Sequence, residues 1–132
     1  MFRILLGIDT DEDRAAAQAN LVASLPAATE EVTAVVTHVF QDNPEGASVQ
    51  QLTPVRKAVG ILEDAGIDYE YHEASGQPAT ELIAAAADVN ADMVCVSGRK
   101  RSPTGKVVFG SVTQAVILGT DRPVTTVRPS KE

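Results

Sequence analysis

Five short stretches rich in Val, Ile, Leu and Ala alternate with four helix-patterned segments, and that alternation restricts the fold more than any other feature. Arg3-Ile-Leu-Leu-Gly-Ile-Asp9 is nearly all apolar, as expected of a strand covered on both faces. Thr10-Asp-Glu-Asp13 follows, with a hydroxyl at the cap and a carboxylate three residues on, which predicts a helix start. The helix runs to about Leu25, takes its packed face from Ala17, Leu21 and Leu25, and ends at Pro26. Residues 31–40 form a second strand rich in β-branched side chains. Polar residues 41–51 read as a loop, and Thr53-Pro54 caps a helix with Val55, Ala58, Val59 and Leu62 on one face, closed by Gly66. Residues 67–73 alternate apolar and polar, as a strand at a sheet edge would. Gly76-Gln-Pro78 opens a third helix over 79–89 with Leu82, Ile83 and Ala86 inward. A fourth strand covers 91–97, a fourth helix 110–118 with Val112, Ala115 and Val116 as its stripe, and a fifth strand 122–128. Such an order specifies an α/β fold: an open, doubly wound parallel five-stranded sheet with four helices and right-handed crossovers.

At 132 residues the chain is expected to form one domain, residues 1–132. No apolar run approaches the roughly 20 residues that span a bilayer. The apolar N-terminus lacks a basic region and a small-residue cleavage site, so it reads as a strand and not a signal peptide. One cysteine, Cys95, excludes an intrachain disulfide and a cysteine-based zinc site, and its apolar setting predicts a buried, inert thiol. These features predict a cytoplasmic protein. A formal net charge of -7 argues against nucleic-acid binding.

Against that acidity stands one basic loop. Arg99, Lys100, Arg101 and Lys106 are four of the eleven Lys and Arg residues. They lie between the strand ending at Ser97-Gly98 and the helix opening at Gly110-Ser111-Val112-Thr113. A strand, a loop and a helix start make an anion seat, because the first turn presents unpaired N–H groups at the positive end of its dipole. The same residues also read as a plain helix cap, and the cations as a solvated loop. In an open parallel sheet, ligands bind at the carboxyl ends of strands where the order reverses. If strands one and four are neighbours, Asp9-Thr10 and Ser97-Gly98 face each other there. Asp9 then bonds a ligand hydroxyl, a water or a cation, or caps the first helix. A nucleotide P-loop fails, since six residues separate Gly98 from Gly105 and Val107 stands where a hydroxyl should hold magnesium. A dinucleotide fingerprint fails because Asp9-Thr10-Asp11 replaces the glycines. His38 and His72 lie on different strands with no recognisable triad partner, and no catalytic residue is assigned.

Ile4-Leu-Leu-Gly-Ile-Asp9, Thr37-His38-Val39, Gly76-Gln-Pro78, Ala91-Asp-Met-Val-Cys-Val-Ser-Gly98 and Phe109-Gly-Ser-Val-Thr113, in this order, resemble the universal stress protein (UspA) family over nearly the whole chain. The resemblance implies a Rossmann-like sheet of order 3-2-1-4-5, as in adenine nucleotide alpha hydrolases, and a homodimer through strand 123–128. For some members it implies ATP, with or without Mg, between the ends of strands one, two and four. Taken together, the candidate ligand-binding residues are Gly7, Ile8, Asp9, Thr10, Val39, Ser97, Gly98, Arg99, Lys100, Arg101, Gly110, Ser111, Val112 and Thr113; the resemblance implies that Val39 offers its backbone to adenine, while Arg99, Lys100 and Arg101 enter through their charge. Nucleotide-binding members carry Gly-x-x-Gly, nine residues, then Gly-Ser/Thr. Gly110-Ser111 keeps the last part, but thirteen residues earlier stands Ser97, and ten earlier Lys100. The cations of 99–101 either clamp an anionic ligand or fill its place. The expected function is a regulatory stress module binding ATP or another phosphate-bearing ligand, with at most slow hydrolysis. The alternative is a dimeric interaction protein whose basic loop blocks the site.

Overall fold

The computed structural model describes residues 1–42, 46–98 and 109–129. The elements run β1 (Phe2–Gly7), α1 (Glu12–Ala23), α2 (Ala28–Glu31), β2 (Val32–Phe40), a 3-10 turn (Val49–Gln51), α3 (Thr53–Asp64), β3 (Asp68–Ser75), α4 (Pro78–Asp88), β4 (Met93–Ser97), α5 (Ser111–Gly119) and β5 (Val124–Val127). All strand pairs are parallel and the order is β3-β2-β1-β4-β5. The four expected helices are present, and the single turn α2 adds a fifth among the described residues. Its cap is Ala27, a non-glycine residue with φ of 57°.

Strand pleating divides the core into two layers. Ile4, Leu6 and Ile8 of the first strand region, with Val32, Ala34, Val36 and Cys95, meet Ala15, Ala19 and Val22 of α1 and Val55, Ala58, Val59 and Leu62 of α3. On the other face, Leu5, Val39, Val94 and Val96 meet Ala79, Leu82, Ala85 and Ala86 of α4 and Val116 of α5. The run Ile4-Leu5-Leu6 is wholly buried because both sheet faces are covered, which is why its sequence does not alternate. In β3 exposed and partly buried residues alternate at the sheet edge, as the pattern predicts.

Several local expectations shift. Helix α1 is capped by Asp11, whose Oδ1 accepts from the Arg14 N–H at 2.9 Å, and not by Thr10. A carboxylate at that position reaches the third N–H of the helix directly, which leaves Thr10 outside. The buried face of α1 is Ala15, Gln18, Ala19 and Val22; Leu21 and Leu25 pack only at its margin, and Ala17 is partly buried. Thr53 is the first residue of α3 and Leu52 its cap, with Pro54 in the first turn. Gly110 caps α5 without a side-chain bond, so Ser111 is its first helical residue. The predicted stripe of α5 is narrower than expected. Thr113 and Val116 are buried, while Ala115 is exposed, because α5 lies against α4 at the thin end of the sheet. Among the described residues, no helix is long and apolar enough to cross a membrane.

Candidate functional site

Because β1 pairs with both β2 and β4, the chain leaves the sheet in opposite directions at this point and a crevice opens. The crevice is a cleft of about 210 Å³. Ile8, Val39, Pro78, Leu82 and Val96 make its apolar part, and Asp9, Thr10, His38, Gln41, Ser97 and Thr113 its polar part, with Gly7, Gly110 and Val112 completing the wall. A Cβ on Gly7 would stand 3.2 Å from Leu82 Cδ1 and 3.5 Å from Val96 Cγ1, so glycine is what lets α4 close on the end of β1.

Asp9 sits at the exposed rim. Its Oδ1 accepts the Asp11 N–H at 2.9 Å, and its Oδ2 forms an ion pair with Arg14 Nε at 3.0 Å. Arg14 comes from the first turn of α1 and also approaches Asp11 at 3.8 Å. The Asp9 charge therefore faces the cleft already compensated, through a residue that sequence reading passed over. His38, at the end of β2, places Nδ1 2.7 Å from the Ile8 carbonyl oxygen. A carbonyl only accepts, so Nδ1 carries the proton of that bond. The ring stands edge-on to Phe40 with centroids 4.8 Å apart.

The end of β4 is fixed from two sides. Gln18 Nε2 donates to the Gly7 carbonyl at 2.9 Å and to Ser97 Oγ at 2.8 Å. The Thr113 hydroxyl donates to the Ser97 carbonyl at 2.9 Å. Gly98 donates its backbone N–H to Val127 at 2.6 Å, extending the β4–β5 ladder. Beneath this, the Cys95 thiol is fully buried, and desolvation pushes its pKa up to about 12, in keeping with the inert thiol read from the sequence.

Nine of the residues singled out in the sequence come together on this cleft: Gly7, Ile8, Asp9, Thr10, Val39, Ser97, Gly110, Val112 and Thr113. At Gly98, Thr113 and Ser111 the geometry differs from that of a simple anion seat. The Gly98 N–H is committed to the Val127 carbonyl of β5. The Thr113 hydroxyl gives its proton to β4 and is not a free phosphate donor. Ser111 is exposed and off the cleft wall. Arg99, Lys100 and Arg101 lie outside the described residues. Sequence reading missed Gln41, Pro78, Leu82 and Val96 as lining, and gave His38 no part in the cleft. Among the described residues, no cluster of three or more His, Cys, Asp or Glu side chains is arranged to hold a metal ion.

An open sheet of this order with a part-apolar crevice at its reversal point defines a small α/β protein of the doubly wound class. The profile of the universal stress protein family matches residues 1–128, and the chain belongs to that family. A universal stress protein of Mycolicibacterium smegmatis is 36% identical over 69 residues, 52% of this chain; the match spans 53% of that relative, about half its length. Among solved structures, the universal stress protein of Archaeoglobus fulgidus superposes with a TM-score of 0.78 at 28% identity, over 96% of this chain and 98% of the other. The Archaeoglobus fulgidus universal stress protein in complex with dAMP superposes with a TM-score of 0.72 at 22% identity, again over 96% and 98% of the two chains.

Proposed function

We propose that this universal stress protein binds an adenine nucleotide in the cleft at the ends of β1, β2 and β4, as a regulatory stress module. The observation that carries the reading is the division of the cleft. Ile8, Val39, Pro78, Leu82 and Val96 offer an apolar wall for a flat base, and Asp9, Thr10 and Ser97 offer polar groups for a ribose and phosphate. The ion pair of Arg14 with Asp9 removes the repulsion that a bare carboxylate would exert on an anionic ligand. The dAMP complex of the Archaeoglobus protein supports a monophosphate ligand in the same fold. Both Asp9 carboxylate oxygens are engaged, by the Asp11 N–H and by Arg14, so a magnesium ion accompanying ATP would be held by phosphate oxygens and water. The dimer is proposed through residues 123–128. β5 is an edge strand of β-branched residues with an unpaired row of backbone groups, a natural pairing surface. The specific reading in favour of a ligand-free interaction protein is that the Gly98 N–H and Thr113 hydroxyl are both taken by protein partners.

Titration calorimetry with AMP, ADP and ATP, with and without magnesium, tests the first reading beside mass spectrometry of ligand extracted from the purified chain. Heat saturating at one nucleotide per chain is expected. No heat across salt and magnesium, together with no co-purifying nucleotide, leaves the interaction protein as the better account. Light scattering at micromolar concentration checks the dimer, and a monomer there refutes it.

A further inference from the structure

We infer that Gln18 is a positioning residue that aims the Ser97 hydroxyl proton into the cleft, where it donates to an oxygen of the bound nucleotide; this rests on the nucleotide reading above. Gln18 is fully buried on the face that α1 otherwise fills with Ala15, Ala19 and Val22. Its amide orientation follows from its neighbours. The Gly7 carbonyl accepts only, so the group facing it is the NH2. The second N–H of that NH2 donates to Ser97 Oγ at 2.8 Å. With the amide supplying the proton in that bond, the Ser97 hydroxyl cannot also point its hydrogen at Gln18. The Ser97 carbonyl is separately held by the Thr113 hydroxyl at 2.9 Å. Ser97 lines the cleft, and no further partner of Oγ occurs among the described residues. The hydroxyl is thus an acceptor toward the core and a donor toward the cleft.

Two observations make this more than packing. Gln18 Oε1 is buried with no partner among the described residues, a cost that an apolar side chain of similar size would avoid. Polar groups retained against local stability concentrate at functional sites. In addition, Ser97 lines the cleft while its carbonyl is already held by Thr113, so the hydroxyl is the polar group of its side chain left to face a ligand.

AMP titrations of the wild type, Gln18→Met, Gln18→Glu, Ser97→Ala and the Gln18→Met/Ser97→Ala double variant test the inference, with thermal unfolding to confirm that each folds. Loss of one oriented hydrogen bond should weaken binding about 3- to 10-fold in Gln18→Met and in Ser97→Ala. The double variant should be no weaker than Ser97→Ala alone, because the amide acts only through the hydroxyl. In Gln18→Glu the carboxyl oxygen that replaces Nε2 is buried against the Gly7 carbonyl and must be protonated toward it; that single proton leaves only a lone pair for Ser97 and turns its hydroxyl proton inward, so binding should fall at least as far, and that variant carries the test if Gln18→Met does not fold. Wild-type affinity in Ser97→Ala or in Gln18→Glu overturns the inference. So does a double variant that loses the product of the two single effects, the signature of a general structural role. Failure of the wild type to bind AMP removes the nucleotide reading and this inference together, whereas binding in the wild type with either overturning result removes this inference alone.

Discussion

Arg14 decides the charge presented at the rim of the cleft. Its side chain is mostly shielded while that of Asp9 is half exposed, so the pair contributes little to stability, on the order of 0–1 kcal/mol. Its effect on an anionic ligand is larger in consequence, because removing the guanidinium leaves the Asp9 carboxylate unopposed beside the phosphate. Arg14→Leu should therefore weaken AMP binding about 5-fold or more at low salt and leave adenosine binding within about 2-fold, since screened charge acts on the phosphate alone. Calorimetry with the two ligands checks it, and equal losses for both would assign Arg14 a purely structural role. Asp9 was legible in the sequence because it ends an apolar strand and precedes a helix. Arg14 was not, because its partnership depends on Asp11 being the cap of α1, and Thr10 and Asp11 compete for that cap over a single residue. Gln18 was hidden for a similar reason. Its meaning lies in Gly7 and Ser97, and Ser97 stands 79 positions away. The available signal was a polar side chain on a face of alanine and valine.

At the scale of elements, the alternation of strand and helix patterns fixes the class of fold because each apolar run must be covered on both sheet faces, and only crossover helices can do that. The strand order itself came from family resemblance, since nothing in the pattern of a buried strand states its neighbour. The α5 start shows where pattern reading fails. Ser111 and Thr113 look like equivalent phosphate hydroxyls one helical turn from the strand, but rotation by 100° per residue turns one outward and the other onto β4. What α5 does offer the cleft is its cap, Gly110, with φ of -72° and ψ of 170°. Any L-residue adopts that backbone, so Gly110→Val should fold, losing at most about 1 kcal/mol at the cap, while its branched side chain takes up space on the cleft wall. Binding of AMP should fall more than about 10-fold with the circular dichroism spectrum unchanged. Retained affinity would place the ligand away from the start of α5.

At the scale of the whole molecule, the buried thiol makes folding and ligand binding readable in one measurement. Cys95 lies in β4, between β1 and β5, with no exposed surface. Desolvation holds its thiol up to about 12, so a disulfide reagent meets neither an accessible sulfur nor a thiolate in the native state. Labelling must wait for the sheet to open. When opening and closing are fast compared with reaction, its rate follows the population of the open form. A ligand that binds only the closed cleft lowers that population by the factor 1 + [L]/Kd, so AMP at a hundred times its Kd should slow labelling about 100-fold. The pH dependence has a defined sign. The neutral thiol is favoured in the fold, so its contribution to stability is fully present below the ordinary thiol pKa of 9.0 and is lost as pH rises from there toward about 12. The open population should accordingly grow above pH 9. Labelling of Cys95 as fast as a free thiol at neutral pH would mean that β4 is reached without global opening. Labelling that is slow but indifferent to AMP would mean that the cleft at the end of the same strand does not close on the nucleotide.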